Sequence, residues 1–438
     1  MAQAKKAPAY NLKVVLQLTG IKPDTLRAWE RRYGLPLPQR TAGGHRLYSK
    51  HDIEMIKWLM LRQDEGMRIN RAIELWRDIE SGGIDPLDET NPIGSVEPSG
   101  EQPVISGISL QEIRDNWIEA CMAYDEAKAE RILSQSFALY PVELVCLEIL
   151  QRGIVEIGKR WYQGEITVQQ EHFASGLVIR RLESLIAASP LPTRSEKILV
   201  GCPAHEEHVM AALMTTLFLR RHGWDVIYLG ANVPLADLEK AVRSTQARLV
   251  ILIASRLFTA ANILEAARAL ESEGIHLAFA GSIFSRQENL SKNIPGHYLG
   301  DRLDRVVQEV EAVLKNPGIP ETSAAPNHEY AAAKTRLDER QSMIKQEILD
   351  QLSNDGINEH TLRMANDALV NDILAALALN DMDSIKHEIE WVGTLLAHKK
   401  MSDKLLADYL MIVVHAIERH AGGEAKLVSD WLRKMVSG

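Results

Sequence analysis

The stretch "ILVGCPAHEEHVMAALMTTLFLRRHGWDVIYLGANVP", Ile198 to Pro234, decides the fold. It opens on a short apolar run, crosses a polar loop, continues as a helix-length segment ending in "RRHG", and closes on a second apolar run. That order reads as strand, helix and strand of a parallel sheet. The runs "LVILIAS", "LAFAGS" and "YLG" follow at helix-sized intervals, so a doubly wound sheet is expected over residues 195–315. Ligands of such sheets lie beyond the carboxyl ends of the strands, where the loop after "ILVGCP" places Glu206 and His208. A histidine there can bind a metal through one ring nitrogen while a carboxylate two residues away fixes its tautomer through the other. The same histidine can equally be polar surface, and spacing alone leaves both readings open.

Outward from this segment the chain reads as a multidomain α and α/β protein. At 438 residues it has room for about three domains. Residues 81–107 and 316–328 are rich in Gly, Pro, Ser and acids without hydrophobic period, and read as linkers. They set off an N-terminal module (1–80), a helical bundle (108–190) ahead of the sheet, and an all-helical tail (329–438). The apolar runs are too short to cross a bilayer, the N-terminus lacks a signal-peptide core, and Cys121, Cys146 and Cys202 lack CxxC spacing. A soluble cytoplasmic protein is the expectation. The net charge of −9 is uneven, because residues 1–50 carry ten Lys/Arg against Asp24 and Glu30. Only that end suits a polyanion.

"YNLKVVLQLTGIKPDTLRAWERRYGL" reads as helix, turn and second helix, with Gly20 closing the first and Pro23 opening the second. Leu12, Val15, Leu16, Leu26 and Trp29 form the expected core, and "RTAGGHRLYS" looks like a basic hairpin wing. With that order of pieces, "TLRAWERRYGLPLPQRTAGGHRLYS" resembles the winged helix-turn-helix of MerR-type transcription regulators, over about residues 9–78. The resemblance implies double-stranded DNA as partner, contacts from Arg27, Arg31, Tyr33, Arg40, His45, Arg46 and Tyr48, and a homo-oligomer, dimer or tetramer.

The motif Glu206-x-His208-x-x-Ala211, Ser255-x-Leu257 and Ala280-Gly281 resemble the cobalamin-binding domain that takes its cofactor base-off. The resemblance implies a Rossmann-like, flavodoxin-like fold, with His208 as lower cobalt ligand, Glu206 orienting it, and Ser255, Leu257 and Gly281 lining the nucleotide tail. Ahead of it, "WYQGEITVQQEHF" places nine residues between Trp161 and Glu171-His172. This is similar to the four-helix capping bundle of cobalamin-dependent MerR-type photoreceptor repressors, in which those three residues meet the upper face of the cofactor. Three positions depart from the pattern: Ala211 and Ala280 replace glycines, and Tyr162 follows the tryptophan where light-responsive relatives commonly have histidine.

The resemblance therefore implies a DNA-binding regulator, not an enzyme, that senses cobalamin, adenosylcobalamin first and with light as a further signal, through ligand-dependent oligomerisation. The departures keep open haem or a bilin as the tetrapyrrole, or no cofactor and a protein partner instead. A cobalamin-dependent enzyme is a further alternative, though no substrate barrel accompanies the sheet. The tail matches none of these motifs and reads as a dimerisation or docking domain. Its His360, His387, His398, His415 and His420 show no metal-ligand spacing.

Overall fold

The computed structural model describes residues 8–19, 21–40, 46–64, 69, 72–73, 76–77, 109–272, 274–316, 318, 327–352, 359–390, 392 and 403–437. The chain forms two compact units, Met1–Gly153 and Ile154–Gly438.

In the first unit, strand β1 (Pro8–Asn11) precedes helices α1 (Leu12–Thr19) and α2 (Pro23–Tyr33), strands β2 (Gln39–Arg40) and β3 (Arg46–Ser49), and helix α3 (Lys50–Asp64). The strands form an antiparallel sheet in the order β1-β3-β2, with Arg40 opposite Arg46 across the hairpin. Tyr10 and Asn11, read as helix from the sequence, belong instead to β1, where Tyr10 pairs with Tyr48. Asn11 ends the strand and caps α1, its Oδ1 accepting from Val14 N at 3.1 Å. Pro23 stands in the first turn of α2, which stops at Gly34 in the left-handed conformation, φ 68°. Val15, Leu26, Trp29, Tyr48, Ile56 and Leu59 fill the core. Helices α4 (Leu110–Met122), α5 (Glu126–Leu139) and α6 (Val142–Val145) follow, and a π-helical stretch (Cys146–Gln151) leads to α7 (Arg152–Tyr162). Ser109 and Asp125 cap α4 and α5 with their side chains. Trp117 of α4 is fully buried, and a Cβ added at Gly153 would come 2.7 Å from its ring, which requires glycine there.

The second unit begins within α7 and continues with α8 (Val168–Ala187), opened by a Thr167–Gln170 capping box. A Rossmann-like domain follows: β4 (Lys197–Pro203), α9 (Met210–Arg221), β5 (Asp225–Val233), α10 (Leu235–Thr245), β6 (Leu249–Ile253), α11 (Leu257–Ser272), β7 (His276–Ala280), α12 (Ser282–Arg286), β8 (His297–Tyr298) and α13 (Val306–Lys315). All five strands are parallel, in the order β5-β4-β6-β7-β8. Strand order reverses between β4 and β6, the point beyond whose carboxyl ends sheets of this kind bind their ligands. The runs "ILVGCP" and "LVILI" are buried throughout, as a sheet covered on both faces requires.

Among the described residues the tail contains four long helices: α14 (His328–Leu352), α15 (Glu359–Ala378), α16 (Asp403–Ala421) and α17 (Lys426–Ser437). They pack on one another, α15 packs on α11, and the buried residues of sheet and tail form one continuous core. Asn293 Nδ2 donates to Leu379 O at 2.8 Å and Gln287 Nε2 to Ser384 O at 2.9 Å across this seam. The tail thus docks within its own chain. No described helix is long and apolar enough to cross a membrane.

Candidate cofactor site and nucleic-acid interface

The loop from β4 to α9 places a histidine at the carboxyl edge of the sheet and fixes it from below. Glu206 is fully buried and accepts from four donors: His208 Nδ1 at 2.6 Å, His208 N at 3.0 Å, Ser255 N at 2.7 Å and Thr259 Oγ1 at 2.8 Å. Burial pushes this carboxyl's pKa up, but hydrogen bonds from His208 and Ser255 outweigh it and bring it down to about 2. An ionised acceptor at Nδ1 selects the tautomer whose proton sits there and leaves a lone pair on Nε2. With its side chain 66% exposed, His208 turns that lone pair outward.

The loop itself is pinned at both ends. Asn232, at the end of β5, accepts from His205 N through Oδ1 at 2.7 Å and donates its own backbone N–H to Glu206 O at 3.1 Å. Asn262 Nδ2 holds Ala204 O at 2.7 Å. These bonds keep His205 in the left-handed region, φ 64°. Ser255, at the end of β6, brings its Oγ to 3.0 Å from His208 Nδ1, so the loops after β4 and β6 meet over the reversal point.

Ala254 N–H donates to Ala280 O at 3.0 Å, tying β6 to β7. Gly281 follows with φ 130°, and a Cβ there would fall 1.8 Å from Ala254 O, so this glycine is dictated by backbone approach. Leu257 is fully buried and its side chain belongs to the core shared by sheet and tail. Ala211 lies half-buried in the first turn of α9, and Ala280 is half-buried at the end of β7.

Helix α8 packs along α9, and Arg220 Nη1 in the last turn of α9 donates to Ile186 O in the last turn of α8 at 3.4 Å. The two helices therefore run in the same direction, with their N-terminal ends toward the carboxyl edge of the sheet. At 20 residues against 12, α8 is longer by about 12 Å. Glu171 and His172 are in its first turns. His172 Nδ1 sits 2.6 Å from Glu171 Oε2, Ser175 Oγ donates to Glu171 Oε1 at 2.6 Å, and His172 is 75% exposed. Trp161, at the end of α7, is 37% exposed.

A single free imidazole lone pair could hold a metal whose other ligands come from a macrocycle. Among the described residues no group of three or more His, Cys, Asp or Glu could hold a bare metal ion. The donor set fits cobalamin bound through the histidine, with Glu206, Thr259 and Ser255 behind it.

In the N-terminal module Arg27 and Arg31 lie exposed on α2, Tyr33 is half-buried at its end, and Arg40 lies in β2. Arg46 Nε donates to Glu30 Oε2 at 2.9 Å and remains partly exposed. Tyr48 requires a correction. It is fully buried, its hydroxyl donates to Glu30 Oε1 at 2.5 Å, and burial and Glu30 raise its pKa, so it braces wing to helix and has no side-chain surface for DNA. His45 lies outside the described residues.

Comparison with known proteins agrees with this architecture. Residues 10–78 match the MerR HTH family regulatory protein, and residues 113–186 and 196–302 each match a B12 binding domain. The HTH-type transcriptional repressor CarH of Myxococcus xanthus is 34% identical over 233 residues, 53% of this chain and 74% of CarH. This chain belongs to the CarH family. CarA, a second HTH-type transcriptional repressor of Myxococcus xanthus, is 31% identical over 233 residues, 52% of this chain and 71% of CarA. Among solved structures, the Methanosarcina barkeri monomethylamine corrinoid protein aligns with a TM-score of 0.42 at 16% identity, over 47% of this chain and all of its own. The CarH-family chain is accordingly a MerR-type, DNA-binding transcription regulator with B12-binding domains.

Sequence reasoning missed Thr259, Asn232, Asn262 and Glu30, whose roles in this CarH-family protein depend on contacts 16 to 58 positions away in the chain. It also missed the partner of His420, whose Nε2 lies 2.6 Å from Glu347 Oε2 on another tail helix.

Proposed function

We propose that this regulator senses a cobalamin, adenosylcobalamin first, with His208 as lower axial ligand and Trp161, Glu171 and His172 facing the upper ligand. The observation that carries the reading is the buried Glu206 carboxylate, which holds His208 Nδ1 at 2.6 Å and leaves Nε2 outward. Bound cobalamin would supply a cobalt that His208 Nε2 could hold. Ser255 and Thr259 keep the carboxylate in place, so the imidazole is oriented before any ligand arrives. Arg27, Arg31, Tyr33, Arg40, His45 and Arg46 would meet double-stranded DNA, mostly at phosphates.

For occupancy to regulate transcription, the cofactor must bind the DNA-competent and incompetent homo-oligomers with different affinity. A near-complete switch takes a ratio of about 10⁴. Tyr162 rather than histidine follows Trp161, so the reading commits to cofactor occupancy and not to light as the signal. The test is the absorption spectrum after incubation with adenosylcobalamin in the dark. Wild type should carry a base-off corrinoid whose axial nitrogen signature is lost in His208→Ala. A wild type without corrin absorption, or a variant with an unchanged spectrum, would overturn the assignment.

A further inference from the structure

Two arginines bracket Ser255 at the carboxyl edge of the sheet. Arg286, in the last turn of α12, donates from Nη2 to Ser255 O at 2.6 Å and from Nε to Ser282 O at 3.3 Å. Its side chain is thereby held by two main-chain carbonyls, while Nη1 makes no hydrogen bond among the described residues. Arg286 is exposed and no described carboxylate pairs with it, in a protein whose net charge is −9. Arg256 follows Ser255 directly, is also exposed, and lies near Asp372 without an ion pair. A planar guanidinium fixed by carbonyls, with one NH₂ free and no counter-ion, is arranged to receive an anion. Ser255 Oγ lies 3.0 Å from His208 Nδ1, so this cation stands on the wall next to the imidazole.

We propose that Arg286 binds the phosphodiester of the corrinoid's nucleotide loop and makes the site prefer a complete cobalamin over a corrin that lacks that loop. The proposal rests on the cobalamin reading above and adds a chemical preference to it. The next residue, Gln287, is tied to Ser384 O of the tail, so the tail helps set where Arg286 stands.

The experiment measures the affinity of the full-length chain for hydroxocobalamin and for aquocobinamide, a corrin without the phosphodiester, by optical titration in the dark. The proteins are wild type, Arg286→Ala and Arg286→Lys. Wild type should favour cobalamin. Arg286→Ala should lose about tenfold in cobalamin affinity, about 1.4 kcal/mol, while its cobinamide affinity stays within about twofold. Arg286→Lys keeps the charge without the fork and should fall between them; it also carries the test should Arg286→Ala fail to fold, as judged by thermal unfolding without cofactor. Equal losses for both corrinoids would mean that Arg286 only braces Ser255, and an unchanged ratio would exclude the phosphodiester contact. Either result overturns the proposal and leaves cobalamin binding standing. A wild type that binds neither corrinoid overturns both.

Discussion

Replacing Asp372 with Asn should stabilise the cofactor-free protein at alkaline pH and leave it nearly unchanged in mild acid. Asp372 is half-buried on α15, which packs on α11, and among the described residues it makes no hydrogen bond or ion pair. Burial first, and the nearby Glu388 second, push its carboxyl up from 3.8 to about 7, against a smaller opposing pull from Arg256. Because the folded pKa lies above the unfolded one, the stability is fully present below 3.8 and is lost as pH rises through 7. The gap corresponds to roughly 4 kcal/mol by linkage, which partial solvent access reduces to about 2 kcal/mol. Urea unfolding followed by tryptophan fluorescence at pH 4.5 and pH 8 provides the assay. Asp372→Asn should match wild type at the lower pH and exceed it by about 2 kcal/mol at the higher. Glu388→Gln should give a smaller gain of the same sign. A difference independent of pH, or an Asn variant less stable at pH 8, would refute the argument that an ionised carboxylate strains this seam.

Other substitutions test other parts of the structure. Gly281→Ala should destabilise the second unit by about 3–5 kcal/mol in thermal unfolding, since its Cβ meets Ala254 O at 1.8 Å at φ 130°. Gly164→Ala, with φ 73° but nothing within 4 Å, should cost only about 1–2 kcal/mol. Glu206→Gln should lower cobalamin affinity about 10- to 100-fold in a dark optical titration, because a neutral amide holds the Nδ1 proton more weakly and cannot accept from both His208 and Ser255 N. Arg46→Ala should weaken DNA binding across sequences and reduce the slope of log K against log salt by about 1, measured by fluorescence anisotropy.

Much of the architecture was legible because its signals are local. The alternation of apolar runs with helix-length segments specifies the parallel sheet, and the spacing of Glu206 and His208 puts both in one loop. Pro23 stands where the sequence opens the second helix of the DNA-binding module. Long-range pairings left no such mark. Tyr48 sits in a basic hairpin and reads as a DNA contact until Glu30, 18 positions away, is seen to take its hydroxyl. The close approach of the Ala254 carbonyl to Gly281 is likewise invisible in the sequence, where the glycine reads only as a ligand-lining position. Thr259, one turn into α11, carries no motif, and only the meeting of two loops brings it to the Glu206 carboxylate.

The continuous core joining the sheet to α14–α17 has a consequence for anyone moving parts between regulators. A chimera that borrows residues 195–315 alone would leave bare the side of α11 that α15 covers, together with the polar edge where Asn293 and Gln287 grip the main chain of the tail. Such a fragment should aggregate. A transplant must therefore carry α14–α17 with the sheet, and a lesion near residue 380 should register at the histidine loop as lost folding rather than altered chemistry.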